Sequence, residues 1–514
     1  MILANKNVLH FLFAKTTIMI LANSREDAFI VEREIFVGRE KELQELNAFL
    51  HKKTASLIVV KGRRRVGKSR LIEEFSKHHR ALKFIGLPPQ DHTTKQNQLD
   101  EFARQMSQMT QLPQVQADDW GKLFSLLHSQ VQTGRKILIF DEISWMGSKD
   151  PNFLGHLKTA WDELFKKNPK LILILCGSIS TWIEENILNS KGFYGRVSWS
   201  LNLEPLPLAD CNLLLESAGF RGSNYEKFKI LSVTGGIPWY LEQVQGNMSA
   251  DDNIRRQCFT KGGILLGEFD RIFHEIFGKR AKLYKNIIKS LAHCAVEYED
   301  IVTATGYESS GRLSEYLSDL AKAGFISRDF TWSLKTHRMT KTSRFRLSDN
   351  YVRFYLKYLE PRLEQIEKGR FEKTSLALLP SWDAIMGLQF ENLVLSNRDS
   401  IIKLLNIRFE DIVADNPYLQ RKTKAHKGCQ IDYLIQTKYN NLYLCEIKFS
   451  RQPITSKVVE EVEEKIRSLS LPRGIAVLPV LIHVNGANDG LLDSQYFYKI
   501  IDFGELLVGN KLKL

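Results

Sequence analysis

The sequence predicts a multidomain α/β protein whose first folded domain is built on a parallel sheet. The chain has 514 residues, which is more than one hydrophobic core usually organises, so three or four domains are expected. Short apolar runs alternate with segments of helical spacing from residue 57 to residue 203, the pattern of a parallel sheet covered on both faces. Near residue 386 a second α/β region begins, in which two neighbouring strands carry charged side chains.

The stretch from residue 62 to residue 69 organises the first domain. It lies between an apolar run and a helical segment, and this context makes G-x-x-x-x-G-K-S a phosphate-binding loop. Lys68 is expected to bridge the β- and γ-phosphates, and Ser69 to hold Mg²⁺. A chance Gly-Lys turn is the alternative interpretation of the motif alone. The expected phosphate-binding residues are Gly62, Arg63, Arg64, Arg65, Val66, Gly67, Lys68 and Ser69.

A second acidic motif supports this prediction. Residues 137–140 form an apolar run that ends in Asp141 and Glu142. Asp141 is placed to hold the hydration shell of Mg²⁺, and Glu142 to polarise the attacking water. Two acids after a strand are often a solvated turn, but that alternative would have to hold at both motifs in the right order. The first domain is therefore predicted to bind ATP and Mg²⁺.

Composition narrows the class of partner. The formal net charge of +13 favours an anionic macromolecular partner, most simply nucleic acid and in particular DNA. The six cysteines lack C-x-x-C spacing, which argues against a zinc site and a disulfide framework and fits a reducing cytoplasm. Apart from the first residues, no apolar stretch has the length of a membrane span. We expect a cytoplasmic protein without a membrane partner, and a homo-oligomer stays open.

The first 34 residues are expected to be an extension ahead of the folded body, either disordered or helical. Met-Ile-Leu-Ala-Asn occurs at residues 1–5 and again at 19–23, and Lys15 interrupts the apolar stretch between the two copies. A secretory signal is disfavoured because of that interruption. Met19 is an alternative start.

The first domain resembles the prokaryotic ATPases of the AAA+/STAND group. The resemblance rests on the Val-Gly-Arg-Glu box at residues 37–40, the phosphate loop and the Asp-Glu strand. It implies that Val37 and Gly38 line the adenine pocket, and that Ser178 lies at the strand tip near the γ-phosphate. By the same resemblance Arg196 is an arginine finger or a γ-phosphate sensor, and Pro238 begins a lid helix that faces the nucleotide. A strand-ending turn and a solvated loop remain the alternatives for Ser178 and Arg196.

Residues 279–355 predict a winged helix, because three helices precede two strands that flank a polar hairpin. The third helix would read DNA, with Ser309, Ser310 and Arg312 near its start. The hairpin has no acid between Asp329 and Asp349, which suits phosphate contacts. A spacer or protein-docking module is the alternative. The basic residues of this predicted wing are Lys335, His337, Arg338, Lys341 and Arg344.

The C-terminal region carries a second constellation. On the strand 442–448, Glu446 and Lys448 project from one face, which Asp432 on the neighbouring strand can reach. This pattern resembles the PD-(D/E)xK restriction-endonuclease-like fold, with Ile431 in place of the usual proline. The resemblance implies that Asp432 and Glu446 bind Mg²⁺, that Lys448 serves the attacking water, and that Glu391 is an added ligand. Charges on an exposed strand edge are the alternative.

The order of units resembles a family of archaeal-type ATPases with a nuclease-like C-terminal region. We expect an ATP-hydrolysing, DNA-binding protein with an ATP-regulated, Mg²⁺-dependent nuclease domain. The alternatives are a DNA-binding ATPase switch that does not cleave, and a STAND-type signalling scaffold. The expected units are an extension (1–34), an ATPase core (35–203), a helical lid (204–278), a winged helix (279–355), a helical connector (356–385) and a nuclease-like domain (386–514).

Overall fold

The computed structural model describes residues 36–508 apart from 91, 179, 308–310, 373–374 and 425–426, together with four short segments before them. The four segments are extended and pair as two antiparallel hairpins, so the helical alternative for the extension is wrong there. Met19, Ser309 and Ser310 lie outside the described residues. The bounds of the segments are Phe11–Phe13, Thr16–Ile18, Ile20–Ala22 and Ala28–Ile30.

The ATPase core contains a five-stranded parallel sheet, which we call the nucleotide sheet. Its central strands are apolar throughout and buried on both faces, as expected for a parallel sheet between two helical layers. The predicted parallel-sheet α/β fold is therefore confirmed. In spatial order the strands are Ala81–Ile85, Lys136–Asp141, Leu171–Gly177, Ser56–Lys61 and Val197–Asn202.

Helices cover both faces of this sheet. The helix that follows the phosphate loop buries Leu71, Ile72 and Phe75, which recur at helical spacing. The described α-helices of the core are Glu40–Ala48, Lys68–Ser76, Lys95–Met109, Trp120–Val131, Ile143–Met146, Phe153–Glu163 and Ser180–Ile183.

The region after the core is helical, as predicted, and we call residues 204–278 the lid. A glycine turn, Gly235–Gly236, separates two of its helices, and Pro238 occupies the first position of the second, where its missing N–H leaves no helical bond unmade. The lid helices are Leu208–Ser217, Asn224–Thr234, Pro238–Leu241, Ala250–Cys258 and Glu268–Phe277.

Residues 279–355 form three helices followed by a two-stranded antiparallel hairpin, which is the element order of a winged helix. We call them the helix–hairpin unit. Leu313, Leu317 and Leu320 point into the core from one face of the third helix. The elements are the helices Ala281–Lys289, Tyr298–Thr305 and Gly311–Lys322 and the strands Ile326–Trp332 and Met339–Leu347.

A short helical connector leads into the C-terminal domain, which is a separate α/β unit around a five-stranded mixed sheet. Its first three strands are antiparallel neighbours and the last two are added in parallel. The strands in spatial order are Ile412–Gln420, Cys429–Thr437, Asn441–Lys448, Ala476–His483 and Lys499–Asp502. The helices are Trp382–Leu395, Arg398–Leu404, Lys457–Ser468, Asp489–Asp493 and Phe503–Val508.

The lid, the helix–hairpin unit and the C-terminal domain share one continuous hydrophobic core. Phe228 of the lid lies at its centre, with ring centroids 5.6 Å from Phe390, 5.3 Å from Phe449 and 5.7 Å from Phe503. These units are therefore packed together and are not joined only by linkers. Within the described part of the chain, no helix combines the length and apolarity that crossing a bilayer requires.

Candidate functional site

The phosphate loop closes tightly around its own lysine. The Lys68 ammonium donates hydrogen bonds to the carbonyl oxygens of Gly62 (2.8 Å) and Arg63 (3.0 Å). Gly62 approaches the next strand so closely that a Cβ atom there would lie 2.4 Å from the Leu203 carbonyl oxygen. Gly67 has a φ of 96°, a left-handed conformation that favours glycine. The loop thus has the backbone curvature and the cation that phosphate binding requires.

The predicted magnesium ligands of this loop lie together. The Ser69 hydroxyl donates to Asp141 Oδ2 over 3.0 Å, and the Lys83 ammonium lies 3.3 Å from the same oxygen. Asp141 is buried at the end of its strand. A hydroxyl and a carboxylate in contact are hard oxygen donors, so Ser69 and Asp141 fit a magnesium ion and its hydration shell.

Glu142 is held by Ser178, which is the strand-tip residue. Both the Ser178 backbone N–H and its hydroxyl donate to Glu142 Oε2, over 3.2 and 3.1 Å. Glu142 has a φ of 51°, uncommon for a residue with a side chain. Burial raises the pKa of Glu142, opposed by the charge of Lys68 and by the two bonds from Ser178. Ser178 therefore orients the carboxylate predicted to polarise water.

An open cavity of about 290 Å³ lies beside the phosphate loop. Val37 lines it, as the resemblance implied, and Pro238 and Trp239 close it from the lid. Gly38 does not line it; a Cβ atom there would lie 2.5 Å from Asp210 Oδ2, so this glycine allows close packing against the lid. The cavity is therefore bounded by the core on one side and the lid on the other.

Arg39 is a residue of this site that the sequence analysis missed. Its guanidinium donates to the Val66 carbonyl oxygen in the phosphate loop (3.1 Å) and to the Glu204 carbonyl oxygen at the start of the lid (2.6 Å). The side chain is buried. Its position inside the Val-Gly-Arg-Glu box was the available signal, since that box was already assigned to the nucleotide pocket.

The three arginines of the phosphate loop pair with acids of later units, and Arg64 and Arg65 also line the cavity beside the loop. Arg63 is paired with Asp349 at the end of the hairpin, and Arg64 with Glu275 of the lid. The Arg65 Nε atom lies 2.9 Å from Glu268 Oε1 in the same lid helix, and its guanidinium stacks on Trp239 with 3.3 Å to the ring centroid. Their backbones remain part of the loop, while their side chains tie it to the lid and the hairpin.

Arg196 does not face the phosphate loop of its own chain. Its guanidinium makes a two-pronged contact with Asp162, with Nε 3.0 Å from Oδ1 and Nη2 2.8 Å from Oδ2. The bond to Arg196 holds the pKa of Asp162 well below its usual range. Within this chain Arg196 thus anchors a core helix, which corrects the expectation that it contacts the γ-phosphate there.

In the C-terminal domain the structure brings Asp432, Glu446 and Lys448 together. Tyr433 pairs with Cys445 across the two strands, so Asp432 and Glu446 are the next residues in register. The Lys448 ammonium lies 3.2 Å from Glu446 Oε1, and Asp432 Oδ2 accepts the backbone N–H of Ile447 over 2.9 Å. Burial, and next the charge of Glu446, raise the pKa of Asp432 to about 7.

Two residues of this second site were missed, and both lie on the helix Lys457–Ser468. The Lys465 ammonium is 2.5 Å from Glu446 Oε2 and 3.9 Å from Asp432 Oδ1. Glu461 Oε2 lies 2.6 Å from the Lys448 ammonium. In the sequence this segment has the pattern of an ordinary charged surface helix. Only its packing across the sheet places Lys465 and Glu461 at the site.

Glu391 does not join the two carboxylates in a three-acid cluster. Among the described residues, no group of three or more His, Cys, Asp or Glu side chains is arranged to hold one ion. Burial raises the pKa of Glu391, and the charges of Arg346 and Arg353 oppose that rise. Its helix packs against the hairpin and the connector, which brings the carboxylate close to these two arginines. The predicted metal set therefore reduces to Asp432 and Glu446 in this arrangement.

The hairpin tip is basic and exposed, as expected. Lys335, His337, Arg338 and Lys341 are exposed, whereas Arg344 is half-buried and donates to Gln430 Oε1 over 2.8 Å. The turn end of the hairpin is fixed to the C-terminal sheet, because Trp332 Nε1 donates to Gln436 Oε1 (2.6 Å) and Gln436 donates back to the Leu334 carbonyl (2.9 Å). The cations thus project from a rigidly held support.

The chain is similar to an uncharacterized protein of Methanocaldococcus jannaschii, with 26% identity over 403 residues that make up 78% of this chain and 84% of the relative. Among solved structures, it is similar to a Walker-type ATPase of Pyrococcus abyssi (18% identity, TM-score 0.46, 62% of this chain and 96% of that one). It is also similar to the ORC2 protein of Aeropyrum pernix (14% identity, TM-score 0.39, 66% and 97%).

A family model described as an ATPase domain predominantly from Archaea matches residues 36–244. The matched range contains the Val-Gly-Arg-Glu box, the phosphate loop, the acidic pair Asp141–Glu142 and the lid turn at Pro238. The geometry and this match agree, so residues 36–244 are similar to the ATPase domains found predominantly in Archaea.

Proposed function

We propose that this protein is a DNA-binding ATPase whose C-terminal domain cleaves DNA with a divalent metal under the control of the nucleotide. One observation carries the proposal. Asp432, Glu446 and Lys448 meet on two adjoining strands, and the residue that follows Lys448 packs into the lid of the ATPase domain. The proposed cleavage site is therefore in contact with the lid, which lines the proposed ATP cavity.

In the ATPase domain, Lys68 and the loop N–H groups would hold the phosphates, while Ser69 and Asp141 would hold Mg²⁺, which would supply neutralisation of phosphate charge. Glu142, oriented by Ser178, accepts the proton of the attacking water. Lys68→Ala is expected to abolish ATP binding, whereas Glu142→Gln keeps binding and loses hydrolysis. Equal loss of ATP binding in both variants, measured by calorimetry, would contradict these separate roles.

In the C-terminal domain, two adjacent carboxylates fit a hard divalent cation such as Mg²⁺. Such an ion supplies Lewis-acid stabilisation of the charge that builds on a phosphate under attack. The Lys448 ammonium lies on the same strand face, where it orients the attacking water. Burial, and next the charge of Glu446, raise the pKa of Asp432, and a divalent cation at the two carboxylates would oppose that rise.

The lid supplies the connection between the two sites. Phe449 follows Lys448 directly, and its ring centroid lies 5.3 Å from that of Phe228 in the lid helix Asn224–Thr234. That helix leads into the turn before Pro238, which lines the cavity beside the phosphate loop. A lid movement that accompanies ATP binding would therefore displace the strand end that carries Lys448.

DNA binding is assigned to the exposed cations of the hairpin. They project from one tip without an interleaved acid, and the chain carries an excess of 13 positive charges. Contacts of this kind bind phosphates without reading sequence.

The test is cleavage of supercoiled and linear DNA by the full chain with Mg²⁺ or Mn²⁺, with and without ATP. Asp432→Asn is expected to remove cleavage and to keep ATP turnover, because the two sites lie in different domains. Glu460→Gln, which changes an exposed acid on a helix of the same domain, serves as the matched control and should retain both activities. Cleavage that survives Asp432→Asn, or a parent protein that cuts neither DNA, would refute the nuclease assignment.

A second candidate function is a DNA-binding ATPase switch that does not cleave. It is favoured by the two ammonium groups that already occupy both oxygens of Glu446. Under this alternative ATP changes DNA affinity, and Asp432→Asn leaves that change intact. Filter binding of labelled DNA with and without ATP distinguishes the two functions when it is combined with the cleavage assay.

A further inference from the structure

The Lys465 side chain lies in the gap between the two carboxylates of the C-terminal site. Its Nζ atom is 2.5 Å from Glu446 Oε2 and 3.9 Å from Asp432 Oδ1. It reaches this position from the helix Lys457–Ser468, which buries Val458 and Val462 against the sheet. A single cation therefore faces both acids from the side opposite their strands.

Glu446 depends on such cations. Its side chain is 1% exposed, and a buried carboxylate is costly unless it is paired. The second oxygen of Glu446 is taken by Lys448 at 3.2 Å, and Lys448 is in turn held by Glu461 at 2.6 Å. Glu446 is thus paired by side chains of its own domain, with one ammonium group on each of its two oxygens.

We propose that Lys465 is an internal counter-ion that occupies the place of the divalent cation, so that metal binds only when the Lys465 ammonium leaves. This inference rests on the proposed function, since it concerns the same two carboxylates. A lysine and a metal ion compete for the same oxygens, and their like charges repel at this separation. Lys465 is 26% exposed, so its flexible stem allows the ammonium to move out to solvent.

The consequence is a C-terminal site with low intrinsic affinity for metal. Lys465 protects the folded domain from two unpaired buried acids when metal is scarce. It also sets the metal concentration at which the site is loaded. Lys465 is therefore a positioning residue for the carboxylates and not a ligand, because an ammonium has no lone pair to donate.

The experiment is isothermal titration of Mn²⁺ into the full chain without nucleotide. All variants carry Lys68→Ala, so that the ATPase site does not retain nucleotide from purification. Lys465→Met is compared with the parent and with Lys427→Met. Lys427 is paired with Glu464 of the same helix over 2.9 Å and is 74% exposed, so its loss matches the change in net charge without touching the two carboxylates.

Lys465→Met is expected to bind Mn²⁺ at least about ten-fold more tightly than the parent, and Lys427→Met to bind like the parent. Adding Asp432→Asn to Lys465→Met should abolish the tight binding, which places the ion at the two carboxylates. Thermal melting checks the fold, and Lys465→Gln, which keeps a polar group of similar length, replaces Lys465→Met if the latter unfolds.

Two negative outcomes separate this inference from the proposed function. Equal Mn²⁺ affinity in the parent and Lys465→Met, with binding lost in Asp432→Asn, would overturn the counter-ion role and leave the metal site standing. An absence of Mn²⁺ binding in every variant would overturn both the counter-ion role and the metal site.

Discussion

At the scale of single residues, the acids of the two candidate sites depend on immediate neighbours. Glu142 is half-buried, and the two donors of Ser178 keep its carboxylate oriented and lower its pKa, against the burial that raises it. In the C-terminal domain the ammonium groups of Lys448 and Lys465 contact the two carboxylate oxygens of Glu446. In each case the neighbouring side chains fix the position of the acid that the site depends on.

Ser178→Ala is expected to move the acidic limb of the ATPase pH–rate profile to higher pH. A general base must be ionised, so the rate falls as the pH drops through its pKa. Burial already raises the pKa of Glu142, and loss of the hydroxyl bond removes one group that lowers it. The measurement is kcat against pH for the parent and the variant.

Ser148→Ala is the matched control, since its exposed hydroxyl bonds only to the Trp145 carbonyl oxygen of the same turn. An unshifted acidic limb in Ser178→Ala would mean that this hydroxyl does not influence the base.

At the scale of elements, the phosphate loop is joined by its arginine side chains to the lid helix Glu268–Phe277 and to the end of the hairpin. The Arg63–Asp349 pair is the most enclosed of these contacts, with side chains 7% and 1% exposed. Breaking a buried pair leaves an uncompensated charge, whereas removing both charges costs far less.

Arg63→Met and Asp349→Asn are each expected to lower the free energy of unfolding by about 3 kcal/mol. The double variant should lose clearly less free energy of unfolding than the sum of the losses in the two single variants. Asparagine preserves the hydrogen bond that Asp349 Oδ1 accepts from the Val352 N–H, so the helix cap is retained. Urea unfolding of the nucleotide-free chain provides the measurement.

Arg104→Ala is the surface control, because its pair with Glu101 is exposed and such pairs contribute about 0–1 kcal/mol. Strict additivity of Arg63→Met and Asp349→Asn would show that the two charges are not coupled.

The hairpin is the second element with a testable role. Replacing Lys335, Arg338 and Lys341 by alanine is expected to flatten the dependence of log affinity on log salt by about three units, if each cation neutralises one phosphate. Affinity for duplex DNA is measured by fluorescence anisotropy over a series of salt concentrations.

The control replaces by alanine three exposed cations of the core and lid, Lys170, Lys191 and Arg221. This control removes the same net charge as the hairpin variant. If both triple variants change the slope equally, net charge alone attracts DNA and the hairpin is a spacer.

At the scale of the whole molecule, the lid borders the phosphate-loop cavity and also shares a hydrophobic core with the C-terminal domain. Phe228 contacts three aromatic rings of the C-terminal domain at centroid distances of 5.3 to 5.7 Å. Interiors packed this closely transmit displacement, because they rearrange between discrete packings and do not deform smoothly.

Phe228→Leu is expected to retain ATP turnover and to lose the effect of ATP on DNA cleavage or DNA affinity. Leucine fills most of the space, which limits the loss of stability, but it cannot make the ring contacts with Phe449. The measurement is the ratio of DNA activity with and without ATP.

Phe371→Leu is the control. Phe371 is partly buried and stacks on Phe259, and not on Phe228 or Phe449. An unchanged ATP effect in Phe228→Leu would contradict transmission through this cluster.

The sequence by itself determined the fold class and predicted several residues of both sites, but it missed Arg39, Glu461 and Lys465. Fully apolar strands such as 171–176 can only be buried on both faces, so a parallel sheet followed from composition. The Gly-rich loop and the Glu-x-Lys strand could be predicted because their chemistry depends on residues that are close together in the sequence. The three helices and the hairpin were found in the same way, from periodicity within short segments.

Only the tertiary structure decided which charges meet across long separations in the chain. Arg63 and Asp349, Arg196 and Asp162, and Lys465 and Glu446 are pairs that no local period encodes. Burial then selects the partner, since a charged group removed from water must be matched by whatever opposite charge the packing brings near. For this reason the spacing of the motif predicted that the phosphate-loop arginines contact the nucleotide, whereas the packing pairs their side chains with acids of the lid and the hairpin.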